Sequence, residues 1–207
     1  EKLETSAPEQ IANLLKANFD EAYGGFGDQP KFPVPEALQF CLLRYHITKD
    51  KQALEMAEKT LQGITGIFDE TEGGFYRYSV NREWSVPHYE KMLEGNAELL
   101  NCYLDAYTVT QRPDFKALAE RTIAYLDQNL SDPKGFFYGS QDADEAYYHA
   151  APEERPKRQK PAIDQTLYVD GNAAMASAYL KAGVLLDRQE LLARGLKCMD
   201  FLLQHCF

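Results

Sequence analysis

The chain has 207 residues, 44% of them hydrophobic and 26% charged, which suffices for one sizeable core, or a short repeat array, without disulfides. Its net charge of −10 argues against a nucleic-acid backbone or an anionic membrane as the main partner, but not against a neutral sugar or small polar ligand. The longest apolar runs fall far below the ~20 residues of a membrane-spanning helix.

The opening Glu1-Lys2-Leu3-Glu4 is charged and lacks an apolar leader, so no signal peptide is expected there. The first residue is not Met, which points to a piece of a longer protein. Cys41, Cys102, Cys198 and Cys206 form no C-x-x-C pair and no zinc spacing. They read as ordinary thiols of a reducing, cytoplasmic compartment, Cys41 and Cys102 as core residues.

Helical periodicity dominates from the first elements onward. From Pro8 to Phe19, Ile11, Leu14, Leu15 and Phe19 share one face. Pro35 suits a first helical turn and precedes Leu38, Cys41, Leu42 and Tyr45 at the same period. Asp50 is placed to cap a third helix carrying Leu54, Ala57, Leu61 and Ile64. Ser85, before Val86-Pro87, predicts the start of a long helix with His88 in its first turn and Met92, Asn96, Leu99, Tyr103 and Ala106 along one stripe. Asp114 is the expected cap of the next, and two more run from about Gly171 to Leu186 and from Gln189 to His205. That makes about seven helices. Strand-like alternation is confined to short pieces such as Phe75 to Val80. Glu145 to Thr166 is charged, proline-bearing and aperiodic, and reads as an exposed excursion.

Three glycine-aromatic turns recur: Gly24-Gly25-Phe26, Gly73-Gly74-Phe75 and Gly135-Phe136-Phe137. Each follows one amphipathic helix and leads through a polar connector into the next. A second echo links Glu94-Gly95-Asn96-Ala97 with Asp170-Gly171-Asn172-Ala173. Repeats of this length, each a helical hairpin, are the sign of a solenoid or a closed toroid. In such an array the polar connectors collect at one rim, over a central cavity.

Candidate chemistry sits in those connectors. Between Gly73 and Asn96 lie Arg77, Trp84, His88, Glu90, Lys91 and Asn96; an aromatic face with acids, bases and amides suits a sugar site. His88 is the candidate base, because helix N-terminal amides disfavour an imidazolium. Asp142 and Asp144 are the candidate paired carboxylates. Asp28, Lys31, Asp164 and Asn172 complete the set of binding candidates. The alternative is structural: a lone His that only hydrogen-bonds, and Arg77, Glu83, Glu90 and Lys91 that tie hairpins together as ion pairs. No metal or cofactor motif occurs, and neither a phosphate-binding loop nor a nucleophile elbow is present.

The blocks GGFGDQPKFPVPEALQFCLLRY, GGFYRYSVNREWSVPHYEKMLEGNAEL and GFFYGSQDAD resemble successive signatures of the spermatogenesis-associated, thioredoxin-domain-containing protein family. The resemblance runs over about residues 20 to 180. It implies an all-α fold, helical hairpins of an incomplete (α/α)6 toroid similar to six-hairpin glycosidases and N-acylglucosamine 2-epimerases. The family's thioredoxin-like domain is not contained in residues 1–207. The chain departs from the family at Tyr76 (usually His), Asn81 (Asp), Tyr89 (Phe), Glu94-Gly95 and Gly171 (Trp). Asn81 cannot serve as a base.

Three functions follow as expectations: a carbohydrate-active toroid working as sugar epimerase, isomerase or glycoside hydrolase; a non-catalytic module binding a sugar or small polar ligand; or a scaffold. An interrupted ring exposes apolar end faces, so self-association is also expected.

Overall fold

A computed structural model of the chain describes residues 6–206. The charged opening Glu1-Lys2-Leu3-Glu4, on which the expectation of no leader rests, lies outside them. In chain order come helices α1 (Ala7–Asn18), α2 (Pro35–Thr48) and α3 (Lys51–Ile64), then the two-residue strands β1 (Tyr78–Ser79), β2 (Pro87–His88) and β3 (Lys91–Met92). Helices α4 (Leu93–Thr110) and α5 (Pro113–Asn129) follow, then β4 (Ser140–Gln141), α6 (Glu145–Tyr148), β5 (Ile163–Asp164), α7 (Val169–Leu185) and α8 (Gln189–His205). Seven of these helices are long and α6 is a single turn. No helix among the described residues is long and apolar enough to cross a membrane.

The described residues divide into two compact units, 6–67 with 78–87 and 68–77 with 88–206. In the first, α2 packs against α3 and buries Leu38, Cys41, Leu42, Met56, Ala57, Leu61 and Ile64. In the second, α4 packs against α5 and α7, and α7 against α8. Its core holds Leu100, Cys102, Tyr103, Ile123, Leu126, Met175, Tyr179, Cys198 and Leu202. Burying each large apolar side chain contributes about 1.5–3 kcal/mol, which is what drives the hairpins together.

Local chemistry accounts for several helix ends. Asp50 caps α3, its Oδ1 accepting from the amides of Gln52 (3.1 Å) and Ala53 (3.3 Å). Pro35 starts α2, as a first-turn proline should. Asp114, by contrast, lies inside α5, which begins at Pro113 after Arg112.

Each glycine-aromatic turn is organised by an aspartate that opens it. The Asp20 amide donates to Gly25 O (2.9 Å) and its carbonyl accepts from Gly24 N (2.8 Å). Asp69 repeats both bonds with Gly74 O (2.9 Å) and Gly73 N (2.8 Å). Oδ1 of each carboxylate then accepts from the following amides, Ala22 and Tyr23 in one turn, Thr71 and Glu72 in the other. Asp132 organises the third, shorter turn in the same way. Gly74 is required twice over: its φ is +77°, and a Cβ there would sit 2.5 Å from Tyr125.

The repeated Gly-Asn pair has a structural explanation. Asn96, in the first turns of α4, accepts from Phe75 N (2.7 Å) and donates to Phe75 O (3.0 Å). Asn172 clamps Phe137 in the same way (2.6 and 3.0 Å). Both asparagines are buried, so each satisfies a turn's backbone that would otherwise lack partners.

The buried aspartates are closed from outside their turns by cations. Lys31 Nζ meets Asp20 Oδ2 at 2.5 Å, and Arg82 Nε adds a second bond at 2.8 Å. Lys91 Nζ meets Asp69 Oδ2 at 2.8 Å, and Arg155 reaches both Asp69 oxygens at 2.8 and 2.9 Å. Burial alone would raise the Asp69 carboxyl, but Lys91 and Arg155 outweigh it and hold it below its ordinary value. Asp20 is depressed likewise, burial again being outweighed by Arg82 and Lys31.

Two expectations are corrected here. The long helix does not begin at Ser85: it begins at Leu93, because Lys91 and Met92 are drawn into a three-stranded antiparallel sheet. Lys91 faces Gln141 and Met92 faces Ser140 in it, and β5 pairs on the far side of β4. Nor is Glu145 to Thr166 simply exposed: Tyr147, Tyr148, Arg155 and Pro161 are buried, anchored by the Arg155–Asp69 pair.

Two outcomes test this construction. Asn96→Ala leaves the Phe75 amide and carbonyl buried and unpaired, so it should lower unfolding free energy by about 1–3 kcal/mol in urea titration; an unchanged midpoint would contradict the clamp. Because the folded aspartates titrate below their unfolded values, their stabilisation is complete above the unfolded pKa and is lost as pH falls through the folded one. The denaturation midpoint should therefore hold from pH 7 to about 5 and decline from about pH 4 downward. A midpoint independent of pH down to pH 2 would contradict the ion pairs.

Candidate functional site

The candidate residues divide by what their side chains are bonded to. In the first unit Lys31 is buried on Asp20 and also donates to the Arg82 carbonyl at 3.1 Å. Trp84 is 1% exposed; its indole N–H is shared by the Tyr23 and Gly24 carbonyls (3.2 and 3.3 Å), and Lys31 lies 5.3 Å from its ring. Such a ring offers no open face for a sugar to stack on, which corrects that expectation. Asp28 is exposed, 3.9 Å from Arg82 Nε.

In the second unit Lys91, Asn96 and Asn172 are likewise committed internally, to Asp69 and to the backbone of Phe75 and Phe137. Burial pulls the Lys91 ammonium down to about 8, against the opposing pull of Asp69. These three candidates hold the fold, and their polar atoms face the protein.

Three solvent-facing candidates, Arg77, His88 and Glu90, lie together beside β2. His88 sits in β2, half exposed, so the helix-terminus argument for its neutrality does not apply. Its Nε2 lies 3.9 Å from Glu90 Oε2, and Glu90 accepts from Arg77 at 2.8 Å. The Arg77 amide also donates to the His88 carbonyl (3.3 Å). An arginine thus fixes a carboxylate beside an imidazole.

Between His88 and Glu90, Tyr89 is wrapped by rings. It stacks on Tyr148 (centroids 5.4 Å, 9°) and meets the edges of Tyr76 (4.9 Å, 86°) and His149 (5.1 Å, 90°). Burial, followed by the Asp69 charge, pushes the Tyr76 and Tyr148 phenols far up, and burial raises Tyr89. All three stay protonated near neutrality, serving as hydrogen-bonding and stacking groups.

Asp142 and Asp144 lie elsewhere on the same unit. With Ala143, Gln159, Lys160, Pro161 and Ala162 they line an open polar pocket of about 280 Å³, to which His88, Glu90 and Arg77 do not contribute. Asp144 Oδ1 caps α6 through Tyr147 N (2.8 Å), while Asp142 accepts from Ala143 N (2.8 Å). Asp164, exposed, accepts from Thr166 N (3.0 Å) and Tyr168 OH (3.1 Å). Among the described residues no group of three or more His, Cys, Asp or Glu is disposed to hold a metal ion.

Sequence reasoning passed over Asp69, Tyr148, His149 and Arg155. Asp69 was visible in principle, since Asp20 and Asp69 stand the same four residues before their glycine pairs. Nothing in the aperiodic 145–162 stretch marked the other three.

No protein-family model matches the chain. Spermatogenesis-associated protein 20 of Rattus norvegicus is 38% identical over 155 residues, covering 72% of this chain and 19% of its own length. The Homo sapiens protein of that name is 38% identical over 152 residues, covering 70% and 19%. The chain thus spans about a fifth of the length of the curated relatives it matches. Among solved structures, cellobiose 2-epimerase from Spirochaeta thermophila superposes with a TM-score of 0.76 at 16% identity, over 98% of this chain and 56% of that one. A D-mannose isomerase gives 0.71 at 12% identity (96% and 51%), and a family 76 glycoside hydrolase, a mannosidase from Bacteroides thetaiotaomicron, 0.66 at 15% (80% and 42%). The chain is a homologue of one stretch of the spermatogenesis-associated proteins 20, and its helical hairpins have the α/α-toroid fold of those sugar epimerases, isomerases and hydrolases.

Proposed function

We propose that this chain is part of a carbohydrate-acting α/α toroid in which His88 is the base that removes a proton beside a sugar carbonyl, as in 2-epimerisation or aldose–ketose isomerisation. The observation that carries this is the half-exposed His88 imidazole, 3.9 Å from a Glu90 carboxylate that Arg77 holds in place. A base of that kind must be reachable by substrate and kept in one orientation by a partner. As His88 takes the C2 proton, the C2–H pair becomes the C1=C2 bond and the carbonyl π pair moves to O1, giving an enediolate. Return of that proton to C2 restores the aldehyde as the epimer, and its return to C1, with the O2 proton passing to O1, gives the ketose. The partly exposed Tyr89 and the exposed His149 border His88 and offer ring edges to a ligand.

One observation favours a second reading. The 280 Å³ polar pocket with Asp142 and Asp144 suits hydroxyl recognition or carboxylate-driven glycoside hydrolysis. Its lining belongs to different residues, so the two readings separate by mutation.

Incubation of the chain with mannose, glucose or cellobiose in deuterated water should place deuterium at C2, followed by proton NMR. His88→Ala should slow this by about 10²- to 10⁴-fold, the usual weight of a general base, while Asp142→Asn leaves it within about threefold. Undiminished exchange in His88→Ala would remove His88 from the chemistry. Glycoside cleavage lost in Asp142→Asn would favour the second reading, and the absence of any sugar-induced shift at millimolar concentration would leave a scaffold.

A further inference from the structure

Residues 145–162 leave the helical layers as a strap, and their buried anchor is the same carboxylate that fixes the strand after His88. Asp69 binds Lys91 at 2.8 Å, and Lys91 directly follows His88-Tyr89-Glu90. Its oxygens also hold Arg155 at 2.8 and 2.9 Å, and Arg155 in turn donates to the Tyr148 carbonyl at 2.7 Å. Tyr148 and its neighbour His149 are the rings that meet Tyr89 at 5.4 and 5.1 Å. One buried group therefore joins β3, three residues beyond the half-exposed imidazole, to the strap that walls Tyr89.

The strap's closure is incomplete in its bonding. Tyr148 OH and Arg155 Nε are both buried and have no hydrogen-bond partner among the described residues, although Tyr148 is 4% exposed and Arg155 6%. Unsatisfied buried donors favour a state in which water can reach them. Its other anchors lie toward its ends: Tyr147 OH bonds Glu72 at 2.6 Å and the Tyr148 ring meets Tyr76 at 5.2 Å, while Ala162 O accepts from Asp142 N at 2.8 Å and Lys160 bonds Asn129 at 3.1 Å near the solvent. A segment with this balance opens locally before the helices beneath it do.

We propose that Asp69 is the positioning residue of the His88 region and that Arg155 is the latch by which it closes the 145–162 strap over Tyr89. When the latch is made, Tyr148 and His149 stand against Tyr89 and complete one wall beside His88 and Glu90. When it is released, that wall leaves while the Asp69–Lys91 pair keeps β3, next in the chain after His88-Tyr89-Glu90, in place. The consequence for a ligand rests on the sugar reading above: the strap sets how tightly the ligand is held, and His88 sets how fast its proton leaves.

Arg155→Met separates the latch from the fold, because Asp69 keeps Lys91. The chain has four histidines, His46, His88, His149 and His205, so their ring resonances can be followed individually by NMR. In Arg155→Met the His149 and His88 resonances should move while His46 and His205 stay, and amide hydrogen exchange over 145–160 should quicken at least tenfold with α4 and α5 unchanged. Arg155→Lys should restore part of the protection. With mannose in deuterated water the variant should raise the KM for C2 exchange several-fold at little change in kcat. Exchange accelerated equally across α4 and α5 would mean that Arg155 only supports the fold, and unaltered exchange over 145–160 would mean that it is no latch; either result overturns the proposal. If the wild-type chain shows no sugar-dependent exchange, the sugar reading fails, while the histidine and amide measurements still decide the latch.

Discussion

The interaction on which the rest of the structure depends is a lysine ammonium buried against an aspartate at the mouth of a glycine-glycine-aromatic turn. It occurs twice, as Asp20–Lys31 and Asp69–Lys91, with the ammonium fully buried in both. Two such charges are strongly disfavoured away from water unless they meet each other and fill their remaining hydrogen-bonding positions. The aspartate does so with its own turn's amides on one side, the lysine and an arginine on the other. That requirement fixes the turn, and through it fixes where the connector must run before the next helix starts. In the second unit it holds residues 91 and 92 extended and brings them into register with β4, so the helix waits until Leu93.

The same requirement divides the polar residues of the connectors into two populations. Lys31, Lys91, Asn96, Asn172 and Trp84 are consumed internally, and their burial gives the rim a stiff base. His88, Glu90, Arg77, Tyr89, Asp142 and Asp164 remain open to solvent wholly or in part. The proposed chemistry draws on this second population, held by the first. The phenols of Tyr76, Tyr89 and Tyr148 remain protonated, so they serve as stacking and hydrogen-bonding groups.

Much of the architecture was legible from the sequence. The Pro35 start, the Asp50 cap and the span of α8 follow from local rules, because turns and caps are decided within a few residues. The glycine-aromatic repeat foretold the hairpins, and the Gly-Asn echo marked a real equivalence, that of Asn96 with Asn172. Its meaning was not legible, since a buried clamp and a ligand contact call for the same amide. Ser85 failed as a helix start because pairing with β4, 50 residues on from Lys91 to Gln141, overrides local propensity. The strap failed for the same reason: Arg155 is 86 residues from Asp69, and no periodicity announces a contact at that distance. Lys91 takes the structural alternative, an ion pair, and Lys31 and Trp84 are likewise bonded to protein; a polar residue in a connector looks alike in sequence whether it faces ligand or protein.

The most direct test of the account is a double-mutant cycle on the first pair, where Arg82 is exposed and can turn to solvent when its partner is removed. Asp20→Asn leaves the buried Lys31 ammonium without its counter-charge and should lower unfolding free energy by about 3–5 kcal/mol, whereas Lys31→Met, which leaves Asp20 with Arg82 and its turn amides, should cost less. The double variant removes both charges and should lose clearly less than the sum, a coupling of about 1–3 kcal/mol. Losses that simply add, within about 0.5 kcal/mol, would show that the pair does not hold the turn, and the account would fail at its base.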